Sequence, residues 1–379
     1  MGYAFSLGWE DALMVWLQSY MGSLGTALAS FLTMFGEELV LILVMGFFYW
    51  CYDKETGKTL GRAVCAELVF NPMLKNAALR LRPYMVNPAI KCLKPVDASA
   101  DLMDLAAQGY SFPSGHSANA VTAYGTIGRQ YKNKAVRAFA VVIPLLVGIS
   151  RFCLGVHYPT DVLAGWLLGL VIIFVIPWFV GKFEKRWIPY LIILLVMLPG
   201  WFYCKSNDFY TGYGMTAGFF IGDLFEEKYV RFQNTRAWWK IILRVIGGAA
   251  VYFGLNMILK MPFSSEFLAS GTFAAYLVRA LRYAVILFVD IAVYPMLFDR
   301  IGKRRCRRND PRIFSKAKGP LFRGPFTLER MKGIEPSTRA WEARVLPLNY
   351  IRIFRFRPNH YTTKKSVCAS VNRRLFVLY

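Results

Sequence analysis

Charged side chains are scarce in this sequence. Asp, Glu, Lys and Arg make up 18% of the 379 residues, against about 25% in soluble domains. A deficit of that size, spread over a long chain, argues against the two or three soluble domains that the length alone would allow. Acidic residues are the scarcer sign, 23 against 46 basic, for a net charge of +23. The imbalance is local. Residues 301–379 hold 20 Lys/Arg and 4 Asp/Glu, which is +16 of the total. The high pI therefore belongs to the tail, and no nucleic-acid partner is expected for the body. Cysteine is sparse: Cys51, Cys65, Cys92, Cys153, Cys204, Cys306 and Cys368 are odd in number, scattered and without a C-x-x-C. Neither a disulfide framework nor a zinc site follows, and the cysteines read as small buried apolar residues. The N-terminal residues do not read as a signal-peptide pattern either. There is no basic n-region and Glu10 and Asp11 come early, so targeting falls to the first transmembrane helix.

What is present is hydrophobic: 56% of the residues are apolar and 16% aromatic. Residues 37–52 read as a firm span with an aromatic belt from Phe47 to Tyr52, and residues 59–76 as a weaker one. Residues 84–112 form a polar loop. Helices follow near 115–130, 136–154, 160–182 and 187–204, then further apolar stretches near 210–225, 241–258 and 268–298. Crossing ~30 Å of hydrocarbon takes ~20 helical residues, so the shorter ones must tilt or borrow flanking residues. The expected fold is an all-α, polytopic membrane helical bundle. It divides into an interfacial or re-entrant N-terminal helix (1–35), a membrane core (36–204), additional transmembrane helices (205–300) and a basic tail, expected to be disordered (301–379). Gln18, Ser19, Gly22, Ser23 and Gly25 make residues 9–33 a poor full span.

Three polar blocks fall at helix ends. In the first, Lys75 and Arg82 stand seven apart, two helical turns, so both are expected on one helix face, with Pro83 helping to end the helix. Two converging cations suit a phosphate, Arg as a fork and Lys as a point charge; the plain alternative is snorkelling at a membrane surface. The second block is Pro113-Ser114-Gly115-His116. Ser114 reads as an N-cap, Gly115 admits close backbone approach, and the open N–H groups of the helix start suit an anion; a capped helix start is the alternative. The third runs from Ser150-Arg151 to His157 and Asp161. Pro159 favours the first helical position, so Asp161 lies in the opening turn, where it can accept a hydrogen bond from His157 and fix its tautomer. The alternative is a His–Asp pair that staples a loop. All three blocks fall on one expected face, and they hold two of the chain's three histidines.

The order K-x6-RP, PSGH, SR-x5-H-x3-D resembles the three-part signature of the type-2 phosphatidic acid phosphatase superfamily, whose core would cover roughly residues 36–204. Every signature letter is present. The resemblance implies that His157 attacks phosphorus and forms a phosphohistidine. Asp161 would orient it, and His116 would protonate the leaving oxygen and then help activate water. Lys75, Arg82, Ser114, Gly115 and Arg151 would hold the phosphoryl oxygens, with no metal or other cofactor. The implied substrate is a lipid phosphate or polyprenyl diphosphate, undecaprenyl-diphosphate-like or phosphatidic acid, met among membrane lipids. Alternatives are a non-catalytic lipid-binding or transport protein on the same fold, or a vanadate-dependent haloperoxidase-like enzyme.

Basic loops locate the site. Calling the side of the 84–112 loop the active face, the opposite face receives Lys54, Lys58 and Arg62, Arg129 to Arg137, Lys182 to Arg186, Lys228 to Lys240 and Lys303 to Arg308. The positive-inside rule then puts the active face outside the cytoplasm of a multi-pass cell-membrane protein, with Arg80, Lys91 and Lys94 as opposing charges. The motif does not explain residues 210–300, where a homodimer or partner surface, or a lid over the lipid path, are open expectations. Asp223 and Glu226 read there as bundle-facing polars, and Asp290 as an intramembrane suspect. In the tail, MKGIEPSTRAWEARVLPLNY looks like translated tRNA-type or other non-coding DNA, expected from a frameshift or read-through near Lys303–Arg308; the other reading is a tail that binds anionic lipid.

Overall fold

A computed structural model describes residues 4–298, and the tail with its two readings lies outside the described residues. Among them, regular structure is helical. The N-terminal part holds α1 (Gly8–Tyr20), α2 (Ser23–Thr33), α3 (Glu38–Phe47) and α4 (Lys54–Ala78). Two single turns, α5 (Pro83–Val86) and α6 (Leu105–Gln108), sit in the polar loop. Then come α7 (Gly115–Gln130), α8 (Lys134–Cys153), α9 (Pro159–Val180), α10 (Trp187–Met197) and the short α11 (Gly200–Tyr203). The C-terminal set is α12 (Asn207–Phe225), α13 (Trp238–Ile258), α14 (Ser265–Ala269) and α15 (Phe273–Phe288).

Local chemistry explains these boundaries. Asp53 caps α4 by accepting from Thr56 N at 3.3 Å, and Asn133 caps α8 by accepting from Ala135 N at 2.8 Å, each satisfying an orphan donor. Pro159 opens α9 at a position where its missing N–H costs nothing. Among the described residues, four helices are long and apolar enough to cross a membrane, five if the bent pair Ser23–Gly36 and Glu38–Tyr52, turned by 48°, counts as one span. The outer face of α9 is greasy: Leu167 is 63% exposed and Trp178 61%, which suits lipid contact. The aromatic belt expected from Phe47 to Tyr52 is only half right. This segment is a π-turn that buries Tyr49 and Trp50 and leaves Tyr52 half exposed, because Tyr49 Oη and Trp50 Nε1 donate to the carbonyls of Ile291 and Asp290.

Helix association in a bilayer depends on close packing rather than on hydrophobic exclusion. Gly214 and Gly218 of α12, four apart, meet the backbone of α15. A Cβ at either would stand 2.1 or 2.2 Å from the carbonyl oxygen of Ala280 or Ala284. Gly218→Leu is therefore expected to push α15 away and to destabilise the protein by about 1–3 kcal/mol or more, read as a lower melting temperature in detergent. At the far end of α12, Asp223 and Glu226 are buried against Lys58 at 2.9 and 3.2 Å. Lys58 is thus an internal ion-pair partner and not a loop cation.

The motif-bearing ends are brought together by backbone bonds. Ser114 N donates to Asp161 O at 3.0 Å, joining the starts of α7 and α9, and Leu93 N donates to Leu154 O at 3.0 Å, joining the polar loop to the end of α8. Helices α1 and α2 pack on this same end. Gln18 bonds Lys91 and the Cys153 carbonyl, and Ala29 packs with Tyr84, Leu154 and Val156.

Candidate active site

One cavity of about 760 Å³ opens where these ends meet, and its walls include Lys75, Arg82, Gly115, His116, Arg151 and His157. Lys75 and Arg82 do not reach it on one helix face. The helix stops at Ala78, Leu79 turns left-handed at φ 52°, and Arg82 follows in extended chain. They converge by chain reversal. The first turn of α7 faces Lys75 closely, since a methyl on Gly115 would lie 4.0 Å from Lys75 Nζ.

The cations are only partly engaged. Arg82 is buried and gives Nε to the carbonyls of Gln108 and Gly109, Nη1 to Val156 O at 3.0 Å and Nη2 to Gln108 O at 2.6 Å. A guanidinium has five N–H groups, so two remain. Arg151, 2% exposed, gives Nη1 to Thr33 Oγ1 at 2.8 Å, and its Nε has no partner. Neither arginine nor Lys75 has a carboxylate within ion-pair distance among the described residues. Buried positive charge without a counter-ion is costly, and an anion in the cavity would relieve it.

His157 sits in the turn between α8 and α9. Gly155 makes that turn with φ +77°, and a Cβ there would stand 2.1 Å from Lys91 O. The hydrogen bond expected from His157 to Asp161 is not made. Nδ1 of His157 meets Ser111 O at 2.8 Å, while Asp161 Oδ2 is 3.7 Å away. A carbonyl only accepts, so Nδ1 carries the proton and Nε2 keeps its lone pair. Asp161 acts one step behind. It accepts from Ser111 Oγ and from Tyr158 N, and pairs with Arg80 Nη1 at 2.7 Å. Arg80 also pairs with Glu10 at 2.8 Å and lies over the Tyr158 ring at 3.9 Å.

Ser114 occupies the N-cap position but its side chain caps nothing. It is fully buried and accepts from Ser117 Oγ at 2.9 Å, so it stands behind the cavity wall with Asp161. Ser150 donates to Val147 O within α8 and is structural. Sequence reasoning missed Ser111, Glu10 and the role of Arg80, expected as an opposing surface charge. It also missed Glu67 and Asn71, which line the cavity with Lys75; their spacing of four on α4 was the available signal. Residues 205–276 contribute as well, since Lys205, Asn207, Asp208, Thr211 and Tyr276 form another wall.

Burial, then the charges of Arg82, Arg151 and Lys75, hold the His157 imidazole well below its ordinary value of 6.5, against the opposing bond to Ser111. The neutral ring is the competent nucleophile. Free-enzyme kcat/KM is therefore expected not to fall as pH drops through 6.5, and to fall only lower. Stability has the opposite sensitivity. Below 6.5 the unfolded chain takes up the proton and the folded one does not, so this residue's contribution lowers stability as pH falls through that value. A pH–rate profile and acid melts check the two parts.

Residues 57–185 match the description PAP2 superfamily, and residues 210–306 match PAP2 superfamily phosphatase, transmembrane extension. The chain is 44% identical over 85 residues to phosphatidylglycerophosphatase B of Bacillus subtilis (strain 168), covering 20% of this chain and 42% of that one. It is 34% identical over 146 residues to an undecaprenyl-diphosphatase of Sulfolobus acidocaldarius, covering 37% and 63%. The chain thus spans about half the length of the curated relatives it matches. Among solved structures, the transmembrane PAP2-type phosphatidylglycerolphosphate phosphatase from Bacillus subtilis is 28% identical with a TM-score of 0.37, covering 46% of this chain and 86% of that one.

Proposed function

We propose that this chain, which belongs to the PAP2 superfamily, is a multi-pass membrane phosphatase that removes phosphate from a lipid phosphate or polyprenyl diphosphate through a phosphohistidine on His157. The observation that carries the reading is the cavity itself: three cations without carboxylate partners and two imidazoles share one set of walls. Nε2 of His157 attacks phosphorus as the bond to the leaving oxygen breaks, and His116 gives that oxygen its proton. Water, deprotonated by His116, then cleaves the P–N bond and returns His157 to its starting state. Lys75, the two remaining N–H groups of Arg82, the unengaged Nη N–H groups of Arg151 and the open N–H groups at the start of α7 hold the equatorial oxygens, where charge accumulates. Two displacements replace one.

The distribution of cations supports an extracytoplasmic site. Of the three cations that opposed this orientation, Arg80 is consumed in a buried ion pair and Lys94 pairs with Glu37 at 2.7 Å, which leaves Lys91, while the remaining cations of that end, Lys75, Arg82, Arg151 and Lys205, line the cavity. The loops at the opposite ends keep Lys132, Lys134, Lys182 and Lys185.

Purified protein in detergent is expected to release phosphate from one or more of phosphatidic acid, phosphatidylglycerophosphate and undecaprenyl diphosphate, to do so in excess EDTA, and to be inhibited by vanadate. Activity lost to EDTA and restored by Mg²⁺ would point to metal-assisted chemistry instead. His116→Ala is expected to lower kcat by about 10²–10⁴-fold on a monoester, whose alkoxide leaves poorly, and by less on a diphosphate. An equal loss on both would remove His116 from the role of acid.

A further inference from the structure

We propose that the bend between α2 and α3 is a positioning element of the active site, in which Thr33 aims Arg151 at the phosphoryl group and Gly36 seats the backbone of His116; this deepens the phosphatase reading and rests on it. The bend stands before the first motif residue, Lys75, and belongs to none of the three polar blocks. Helix α2 ends at Thr33, one 3₁₀ turn covers Met34–Gly36, and the next helix leaves at 48°. Gly36 lines the cavity together with His116 and Arg151.

Breaking a span frees carbonyl groups that a bilayer cannot satisfy, so such breaks persist where protein takes those groups up. Here α7 does so. Phe35 O accepts from Tyr124 Oη at 3.0 Å, and Gly36 O accepts from Asn119 Nδ2 at 3.5 Å. The same helix carries His116 in its first turn. The approach is tightest at Gly36, where a Cβ would stand 2.7 Å from His116 O and 3.0 Å from His116 Cβ. A side chain at this position would have to push the backbone of His116 aside. Glycine lets the bend and the start of α7 meet.

The other end of the bend addresses Arg151. Thr33 is fully buried, and its Oγ1 accepts from Arg151 Nη1 at 2.8 Å, the one hydrogen bond of that guanidinium among the described residues. Arg82 is held differently, by the carbonyls of Gln108, Gly109 and Val156. The direction of Arg151 therefore rests on a single hydroxyl. Removing that hydroxyl leaves the charge in place and frees the fork to turn away from the phosphoryl oxygens. A misplacement of about 1 Å in such a group can cost about 10²-fold in rate.

The test uses the purified full chain turning over the lipid phosphate it hydrolyses fastest, with vanadate as competitor, each variant assayed well below its own melting temperature. Thr33→Val keeps the shape and removes the acceptor. It is expected to lower kcat/KM and to weaken vanadate inhibition, each by about ten- to a hundredfold. Thr33→Ser keeps the acceptor and is expected to hold both near the wild-type values. Should Thr33→Val fail to fold, Thr33→Ala removes the same acceptor without crowding and is expected to show the same loss. Wild-type kcat/KM and vanadate inhibition in the variant without the hydroxyl would overturn the proposal. So would a Thr33→Ser chain that is equally impaired, since the loss would then follow packing and not the hydrogen bond. Gly36→Ala is expected to lower kcat about tenfold or more on a monoester and less on a diphosphate, the pattern of a displaced acid; an equal loss on both, or none, would overturn the proposal for His116. A wild-type chain that turns over no lipid phosphate would instead sink the phosphatase reading, so the two failures are distinct.

Discussion

His157→Ala is expected to abolish phosphate release, with a loss of about 10⁴-fold or more, as for other residues that form a covalent intermediate. The reason is geometric. The Ser111 carbonyl takes Nδ1–H at 2.8 Å and fixes the tautomer, and the ring shares the cavity with Lys75, Arg82 and Arg151. Alanine removes the attacking nitrogen but none of the cations. Substrate and vanadate are therefore expected to bind the variant still, and the loss to fall on kcat rather than on KM. His157→Gln makes the control, since it keeps a hydrogen-bonding side chain but no equivalent nucleophile. Turnover near the wild-type level in either variant would transfer the nucleophile's role elsewhere.

Arg80→Ala is the second large effect, and the motif does not announce it. Arg80 is 2% exposed and holds Asp161 at 2.7 Å and Glu10 at 2.8 Å, both fully buried. Removing one partner from a buried ion pair strands the other charges and costs about 3–5 kcal/mol. Asp161 also accepts from Ser111 Oγ, and Ser111 holds His157. Disturbing the pair should therefore loosen the nucleophile as well as the fold. The expected result is a lower melting temperature together with a lower kcat, measured well below that melting temperature. Arg80→Lys should recover part of the stability through its charge and less of the rate, because an ammonium lacks the fork that spans two carboxylates. A fall in melting temperature with unchanged kcat would limit Arg80 to holding α1 against α9.

The helices were legible where an apolar run is bounded by its own punctuation. Asn133 and Pro159 mark the starts of α8 and α9 within two residues of the expected positions, and α7 runs over the expected 115–130. The chain reversal at Leu79 was not legible, because a leucine with φ 52° carries no sequence signal. Ser111 was invisible for a different reason. It holds His157 through a backbone carbonyl, which every residue has. Arg80 looked like a loop cation because its partner Glu10 lies 70 residues away, and only the tertiary fold brings the two together. Asp161 was correctly singled out as close to His157 but not as its direct acceptor. The place of α12 and α15 in the cavity wall was also hidden, since no motif marks Asn207 or Tyr276.

The central claim is that a single imidazole becomes phosphorylated. Rapid mixing of the full chain with radiolabelled lipid phosphate, an alkaline quench and peptide mapping test it directly. The account predicts an acid-labile label on the peptide that carries His157, formed in the burst phase and lost in His157→Ala. A label on any other residue, or none while product is forming in the burst, would contradict it.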